Sequence, residues 1–341
     1  MKKFAIILCV VLMAMATVFA QATAEDAANY PSKDLTLIVP WNAGGSSDLI
    51  GRLLTADMAK TMGVKISVVN TPGATGTVGM NDCFIKPHDG YTLIANATPY
   101  NHGVLGLADW APQDWSFMAA YYVPSIIAVP KNSPYKTFDA LYAAMQDPSI
   151  DVTAATAGVG SSGFVAMEKL KSADAKMGNY KHIAYSGGSA AVTATLAGEV
   201  NFTPQLSNEM IDLLRSGDLI ALAANTEEDL ALSGVSYVIP SIKNFIPETE
   251  AVLPCGDAFG LLFPADIPEQ AQTILEDAFK KACTTQSAKD FADQKGVILL
   301  QNMDVKKSNA IRDTEAASVG YILLDAGIAK KSPADFGYSR P

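Results

Sequence analysis

The sequence is poor in the residues from which metal and nucleophilic centres are built. It has four cysteines, three histidines and three tryptophans in 341 residues. No two cysteines stand at a zinc-ligand spacing, and His88, His102 and His182 are too few to complete a ligand set, so no metal is expected. Arginine is scarce and the formal net charge at pH 7 is −10. The phosphates of nucleic acid need a basic footprint, so this acidic chain excludes a nucleic-acid partner. With 49% hydrophobic and 18% charged residues, the composition is globular, and the length suggests two domains.

Runs of transmembrane length are absent after the first twenty residues. That opening segment, MKKFAIILCVVLMAMATVFA, places two lysines before an uncharged apolar run and then small residues. The order predicts a signal peptide over 1–24, cleaved after Val18-Phe19-Ala20 or Ala22-Thr23-Ala24, and a periplasmic mature protein. An uncleaved anchor is disfavoured because small and polar residues follow directly, with no basic stop-transfer cluster. Cys9 lies inside the run, so a lipid anchor is not expected there. Cys83, Cys255 and Cys283 remain. An odd count excludes a fully paired framework and leaves one bridge open.

What the chain does carry is a strand–Gly/Ser loop–helix unit, three times over. The strand pattern Leu35–Val39 runs into Pro40-Trp-Asn-Ala-Gly-Gly-Ser-Ser-Asp48 and a helical pattern over 49–60. Asp151–Thr156 leads through Gly158-x-Gly160-Ser161-Ser162-Gly163 into a second helix. His182–Tyr185 leads through Ser186-Gly-Gly-Ser189 into a third over 190–197. Further strands are expected at 65–69 and at 90–95, the latter ending at Thr98, with surface helices over 138–145 and 268–282. Alternating strands and helices of this kind predict an α/β protein with largely parallel sheets.

Each unit presents unpaired backbone N–H groups at the positive end of a helix dipole, an anion site that needs no charged side chain. Glycines let a ligand approach the backbone and serines add hydroxyl donors. In open α/β sheets such loops sit where ligands bind, beyond the carboxyl ends of the strands. Three together predict a cleft that grips an anion from both walls.

Two enzymatic readings compete. Gly158, Gly160 and Gly163 match the dinucleotide fingerprint, which allows a secreted enzyme with a nucleotide cofactor. Gly187-x-Ser189 is part of a nucleophile elbow, which allows a serine hydrolase. Against the first, the acidic residue needed at the end of the next strand is replaced by Tyr185 and Ser186. Against the second, Ala191 stands where the elbow has its last glycine. His102 and His182 are expected to be structural, since neither has an obvious nucleophile beside it in sequence.

The segments Pro40-x-x-Ala43-Gly44-Gly45-x-x-Asp48, Asn70-x-Pro72-Gly73-Ala74-x-Gly76-x-x-Gly79 and Asp89-Gly90-Tyr91-Thr92-Leu93 carry a resemblance. So do Gly158-x-Gly160-Ser161-Ser162, Tyr185-x-Gly187-Gly188-Ser189 with Leu196-x-Gly198-x-Val200, and Gly260-Leu-Leu-Phe-Pro264. In order and spacing, from about Tyr30 to beyond Ala271, the chain resembles the Bug family of bacterial extracytoplasmic solute receptors. These are the substrate-binding subunits of tripartite tricarboxylate transporters. The resemblance implies a two-domain periplasmic-binding-protein fold, type II-like and hinged, each domain a mixed sheet flanked by helices, with the ligand in the interdomain cleft. One domain would combine 30–127 with 255–341 and the other would span 128–254. It implies a monomeric receptor, not an enzyme, that uses no cofactor. The receptor would capture a small carboxylate (a di- or tricarboxylate, or an aromatic acid) by hinge closure and deliver it to membrane permease subunits.

The resemblance and the loops together nominate a first wall of Trp41, Ala43, Gly44, Gly45, Ser46, Ser47 and Asp48. The second wall would comprise Gly160, Ser161, Ser162, Tyr185, Gly187, Gly188 and Ser189, with Thr98 and Gln205 ending strands that face the cleft. Asp48 is open between contacting the ligand and capping its helix, and Trp41 between closing over the ligand and packing in the core. Phe164 stands near a position where the family often has histidine, and Ser186 where many relatives have lysine. The first departure suggests a ligand with an apolar or aromatic part; the second removes a long cationic reach.

Overall fold

The structure is a computed structural model that describes residues 29–97 and 101–341. The leader expected over 1–24 and Thr98 lie outside the described residues. Strand β1 (Leu35–Val39), helix α1 (Ser46–Met62), β2 (Ile66–Asn70), α2 (Thr77–Phe84) and β3 (Thr92–Ala97) open the chain, and β4 (Trp115–Pro124) runs on into β5 (Ile126–Pro130). Next come α3 (Phe138–Gln146), β6 (Thr153–Thr156), α4 (Ser162–Ala173), β7 (Lys181–Ala184), α5 (Gly188–Leu196), α6 (Ser207–Ser216) and β8 (Leu219–Ala224). The chain closes with β9 (Gly256–Pro264), α7 (Glu269–Thr284), α8 (Gln286–Lys295), β10 (Ile298–Leu299) and α9 (Val305–Asp325).

Six strands form the first sheet, in the order β10-β4-β9-β3-β1-β2. β1 pairs parallel with β2 and β3, while β9 pairs antiparallel with β3 and β4. The sheet is therefore mixed, where the alternation of elements suggested mostly parallel pairing. β4 and β9 are buried along almost their whole length. A strand covered on both faces loses the alternation that would reveal it in sequence. In β1, Leu37 and Val39 point into a core under α1 and α7, and Ile38 points into a second core with Met80, Trp115 and Phe117.

The second sheet is assembled from pieces. β6 pairs parallel with β7, and β5 antiparallel with β8. The segment Phe202–Thr203 joins them, bridging to Ala154 on one side and Ala128 on the other. Its core packs Phe138, Leu141, Met167, Leu170 and Phe202 beneath α3 and α4.

The chain passes from the first sheet to the second at Ser125 and returns at Cys255. The two crossings are bonded to each other: the Ser125 N–H donates to the Cys255 carbonyl (3.0 Å), and the Cys255 N–H to the Asn225 carbonyl (2.8 Å). The buried Ser125 hydroxyl donates to the Pro204 carbonyl (2.7 Å) and accepts from the Asn225 amide (2.9 Å). A further apolar contact joins the halves where Val104 and Leu105 meet Phe164 and Val165 of α4 and Ala316, Val319 and Leu323 of α9. Cys83, Cys255 and Cys283 are all unpaired, so the bridge left open by the odd count is not formed. Among the described residues no helix is long and apolar enough to cross a membrane.

Candidate functional site

All three strand–loop–helix units converge on one cleft between the sheets. Lining it are Trp41, Gly45, Ser46 and Ser47 from the first loop and Gly160, Ser161 and Ser162 from the second. Gly187, Gly188 and Ser189 line it from the third loop, and Gln205 from the segment before α6. The two walls touch. The Asn42 amide donates to the carbonyl (3.2 Å) and hydroxyl (3.0 Å) of Ser186, and the Ser189 hydroxyl donates to the Gly44 carbonyl (3.1 Å). At the other end of the cleft the Thr75 hydroxyl donates to the Val159 carbonyl (3.0 Å), and the Asn101 amide donates to the Gly160 carbonyl.

Ala43, Gly44, Asp48 and Tyr185 do not line the cleft. Both oxygens of Asp48 are committed to the loop itself, accepting from the Gly44 N–H (3.0 Å), Arg52 (2.9 Å) and Asn70 (3.0 Å). Burial works against its charge, but these donors, Arg52 first, outweigh it and hold the carboxyl below the usual aspartate range. Asp48 is therefore the residue that shapes the first loop. Asp48→Asn should cost about 1–3 kcal/mol at pH 7, the typical worth of hydrogen bonds to a buried charge. With a folded pKa below the unfolded value of about 3.9, that contribution is present above pH 4 and is lost as pH falls through the folded pKa. Urea midpoints of both proteins at pH 7 and pH 3 check this: equal midpoints at pH 7 would contradict it.

Trp41 lies in the cleft wall, its indole N–H donating to Asn96 (2.8 Å). Tyr185 instead packs with Ile183 against Ala155, Ala191 and Val200, its hydroxyl donating to Glu199 (3.1 Å). Phe164 is buried beside Leu105 and the His182 ring and does not line the cleft. The suggestion of an apolar ligand drawn from it is thereby withdrawn.

Several lining residues had no sequence signal: Asn96, Asn101, His102, Asp257, Phe259 and, above all, Glu209. Glu209 projects from the first turn of α6. Its Oε1 accepts from the Ser46 N–H (3.3 Å) and Ser46 hydroxyl (3.1 Å) at the start of α1. Its carboxylate also lies against the first residue of α5, where a Cβ on Gly188 would come within 2.0 Å of Oε2. Glycine is required there by this close approach. The protein's own carboxylate thus occupies the dipole cradle that the loops form between them. Burial pushes the Glu209 carboxyl above the usual glutamate range, against the Ser46 hydrogen bonds that favour its charged form. Oε2 is buried and has no partner.

Neither histidine serves a nucleophile. His182 Nε2 meets the Thr156 hydroxyl, and His102 Nε2 lies 3.2 Å from the Thr75 carbonyl. Burial lowers the His102 pKa to about 4, so the ring is neutral at physiological pH. The hydroxyl of Ser189 is given to a carbonyl rather than a base.

Two sheets joined by paired crossings, with glycine-rich helix starts facing each other across the gap, define a solute-binding receptor of the periplasmic-binding-protein type. A family model described as the tripartite tricarboxylate transporter family receptor matches residues 50–327, and the chain belongs to that family. It is similar to a UPF0065 protein of Pseudomonas sp. (strain P51), 29% identical over 207 residues, 57% of this chain and 58% of that one. It is also similar to a UPF0065 protein of Agrobacterium vitis, 27% identical over 269 residues, 76% of this chain and 74% of that one. Among solved structures, the periplasmic binding protein BugD matches with a TM-score of 0.78 at 20% identity, over 89% of this chain and 100% of its own. MatC from Rhodopseudomonas palustris, solved with bound malate, matches at 0.77 and 21%, over 86% and 100%. A second R. palustris protein, solved with adipate, matches at 0.75 and 20%, over 88% and 99%. These likenesses establish the mixed α/β fold of the periplasmic binding proteins. Membership of a receptor family removes both enzymatic readings; from the loop Gly158–Gly163, Gly160, Ser161 and Ser162 line the cleft.

Proposed function

We propose that this protein is an extracytoplasmic receptor that captures a small carboxylate between its two halves and delivers it to a membrane permease. The observation that carries the reading is the convergence of three helix N-termini, those of α1, α4 and α5, on one cleft. Glu209 lies against the first residues of α1 and α5, and the oriented N–H groups at the N-terminus of α4 remain to favour a ligand anion without any cationic side chain. Family membership and the malate and adipate bound by two relatives in this fold support it. The lysine-rich start and apolar run of the leader support export to the periplasm.

In this reading the domains are 30–127 with 255–341, and 128–254, hinged where Ser125, Asn225 and Cys255 are bonded together. The walls touch through Asn42–Ser186 and Ser189–Gly44 only when the cleft is shut. A ligand that contacts both walls therefore stabilises the shut state, and only that difference in contact drives closure. The permease would recognise the shut form of a monomer.

Thermal unfolding against a panel of aliphatic mono-, di- and tricarboxylates, aromatic carboxylates, amino acids and NAD tests the reading. A ligand at about 100 times its Kd adds about 2.7 kcal/mol to the folded state, a shift of several degrees. An upward shift with one class of carboxylate-bearing ligand is the expected result. A shift with NAD alone would overturn the receptor function.

A further inference from the structure

The charge of the cleft narrows its ligand, on the footing that the cleft is the receptor's ligand site. Glu209 and Asp257 are the charged residues that line it, and no lysine or arginine does so among the described residues. His102 is neutral. Lys169 lies near enough to Asp257 to feel its charge, whereas the groups that act on Glu209 are hydrogen-bonding neighbours with no cation among them. A ligand composed only of carboxylates would bring negative charge against the buried Oε2 of Glu209, where the screening by water is lost.

Donors await an anion elsewhere in the same cleft. Ser161 caps α4 without its hydroxyl being bonded to the helix, and its Oγ has no partner although the residue is only 4% exposed. Gln205 is 2% exposed, and its Nε2 is likewise unpartnered. The head of its side chain lies at the first turn of α4, Oε1 being 2.7 Å from where a Cβ on Gly163 would stand. Buried donors at a positive helix end and a buried carboxylate oxygen in one cleft are each costly while unpaired. One ligand with a negative and a positive end satisfies both.

We propose that the cleft takes a zwitterion, a small carboxylate that also carries an ammonium group. Its carboxylate lies on Ser161, Gln205 and the N-terminus of α4, and its ammonium lies on Oε2 of Glu209. The α1 cradle is then filled by Glu209 in order to hold that carboxylate in place as the cation's partner.

Calorimetric titration of the mature wild-type protein with matched pairs tests the inference: succinate with aspartate, glutarate with glutamate, and valerate with 5-aminovalerate. The aminated member of at least one pair should bind at least about tenfold more tightly than its plain partner, the worth of one charge-assisted hydrogen bond. Glu209→Gln should weaken that ligand by roughly 10- to 100-fold and erase its advantage over the plain acid. Plain acids that bind wild type as tightly as their aminated partners would overturn the zwitterion and leave the receptor reading standing. Binding by neither class would overturn the zwitterion, and the wider thermal panel then decides the receptor reading separately. The wild-type pairs decide the matter even if Glu209→Gln fails to fold.

Discussion

Gly260→Ala is expected to destabilise the protein by at least about 3 kcal/mol, at the upper end for overpacking a core. Gly260 sits in the middle of β9, opposite Asn96 of β3 on one side and Ala119 of β4 on the other. The pairing with β4 shifts register between Ala119 and Tyr121, so Ala120 is an extra residue on that strand. The bulge swings the Met118 carbonyl toward β9, where a Cβ on Gly260 would stand 1.9 Å from the oxygen and 3.1 Å from the Ala119 α-carbon. Both obstacles are backbone, so no side-chain rotation relieves them and the central strands must part. Asn96, which holds Trp41 and Ser47 in the cleft wall, would move with β3. Urea unfolding reads the effect, and a midpoint within error of wild type would show that the bulge does not demand glycine.

Glu315→Ala should cost about 3–5 kcal/mol, because it strands a buried charge. Lys169 on α4 has a side chain only 7% exposed and lies 2.9 Å from Glu315 on α9. Burial disfavours its ammonium, yet the surrounding groups, Glu315 foremost and Asp257 among them, together offset that and hold the pKa above the ordinary lysine value. A raised folded pKa means that the pair's contribution is fully present below the unfolded value of about 10.4 and is lost as pH rises through the folded one. At pH 7 the loss is therefore complete in Glu315→Ala. Lys169→Met together with Glu315→Leu should recover most of it, since replacing both charges leaves nothing uncompensated. If the double variant were no more stable than Glu315→Ala, the buried charge would not be the cause. The pair also ties α4, which Ser161 caps, to the helix that packs on β4, so a loosened pair should reach the cleft.

Much of the architecture was legible. The strand read at 35–39 is β1 residue for residue, and the loops at 40–48, 158–163 and 186–189 each join a strand to a helix. The first helix was placed at 49 and begins at Ser46, with Gly45 at its N-cap and Ser46, Ser47 and Asp48 buried in its first turn. The antiparallel strands β4 and β9 escaped notice, being continuous apolar runs without a period. In the cleft, the glycines and serines of the loops declared themselves by composition. Asn96, Asn101 and His102 did not, since a lone polar residue at a strand end or in a loop has no pattern to betray it.

By itself the sequence determined what is local. It set where strands give way to helices, which loops expose unpaired N–H groups, and, through composition and motif order, the class of fold. Only the tertiary structure decided how those loops are used. It turned Asp48 inward to brace its own loop, buried Phe164 away from the cleft, and set Glu209 against Ser46 across 163 residues of chain. Local patterns follow from interactions within a few residues. The charge of a cleft follows from which distant side chains the packing of two sheets brings together, and no spacing along the chain records that.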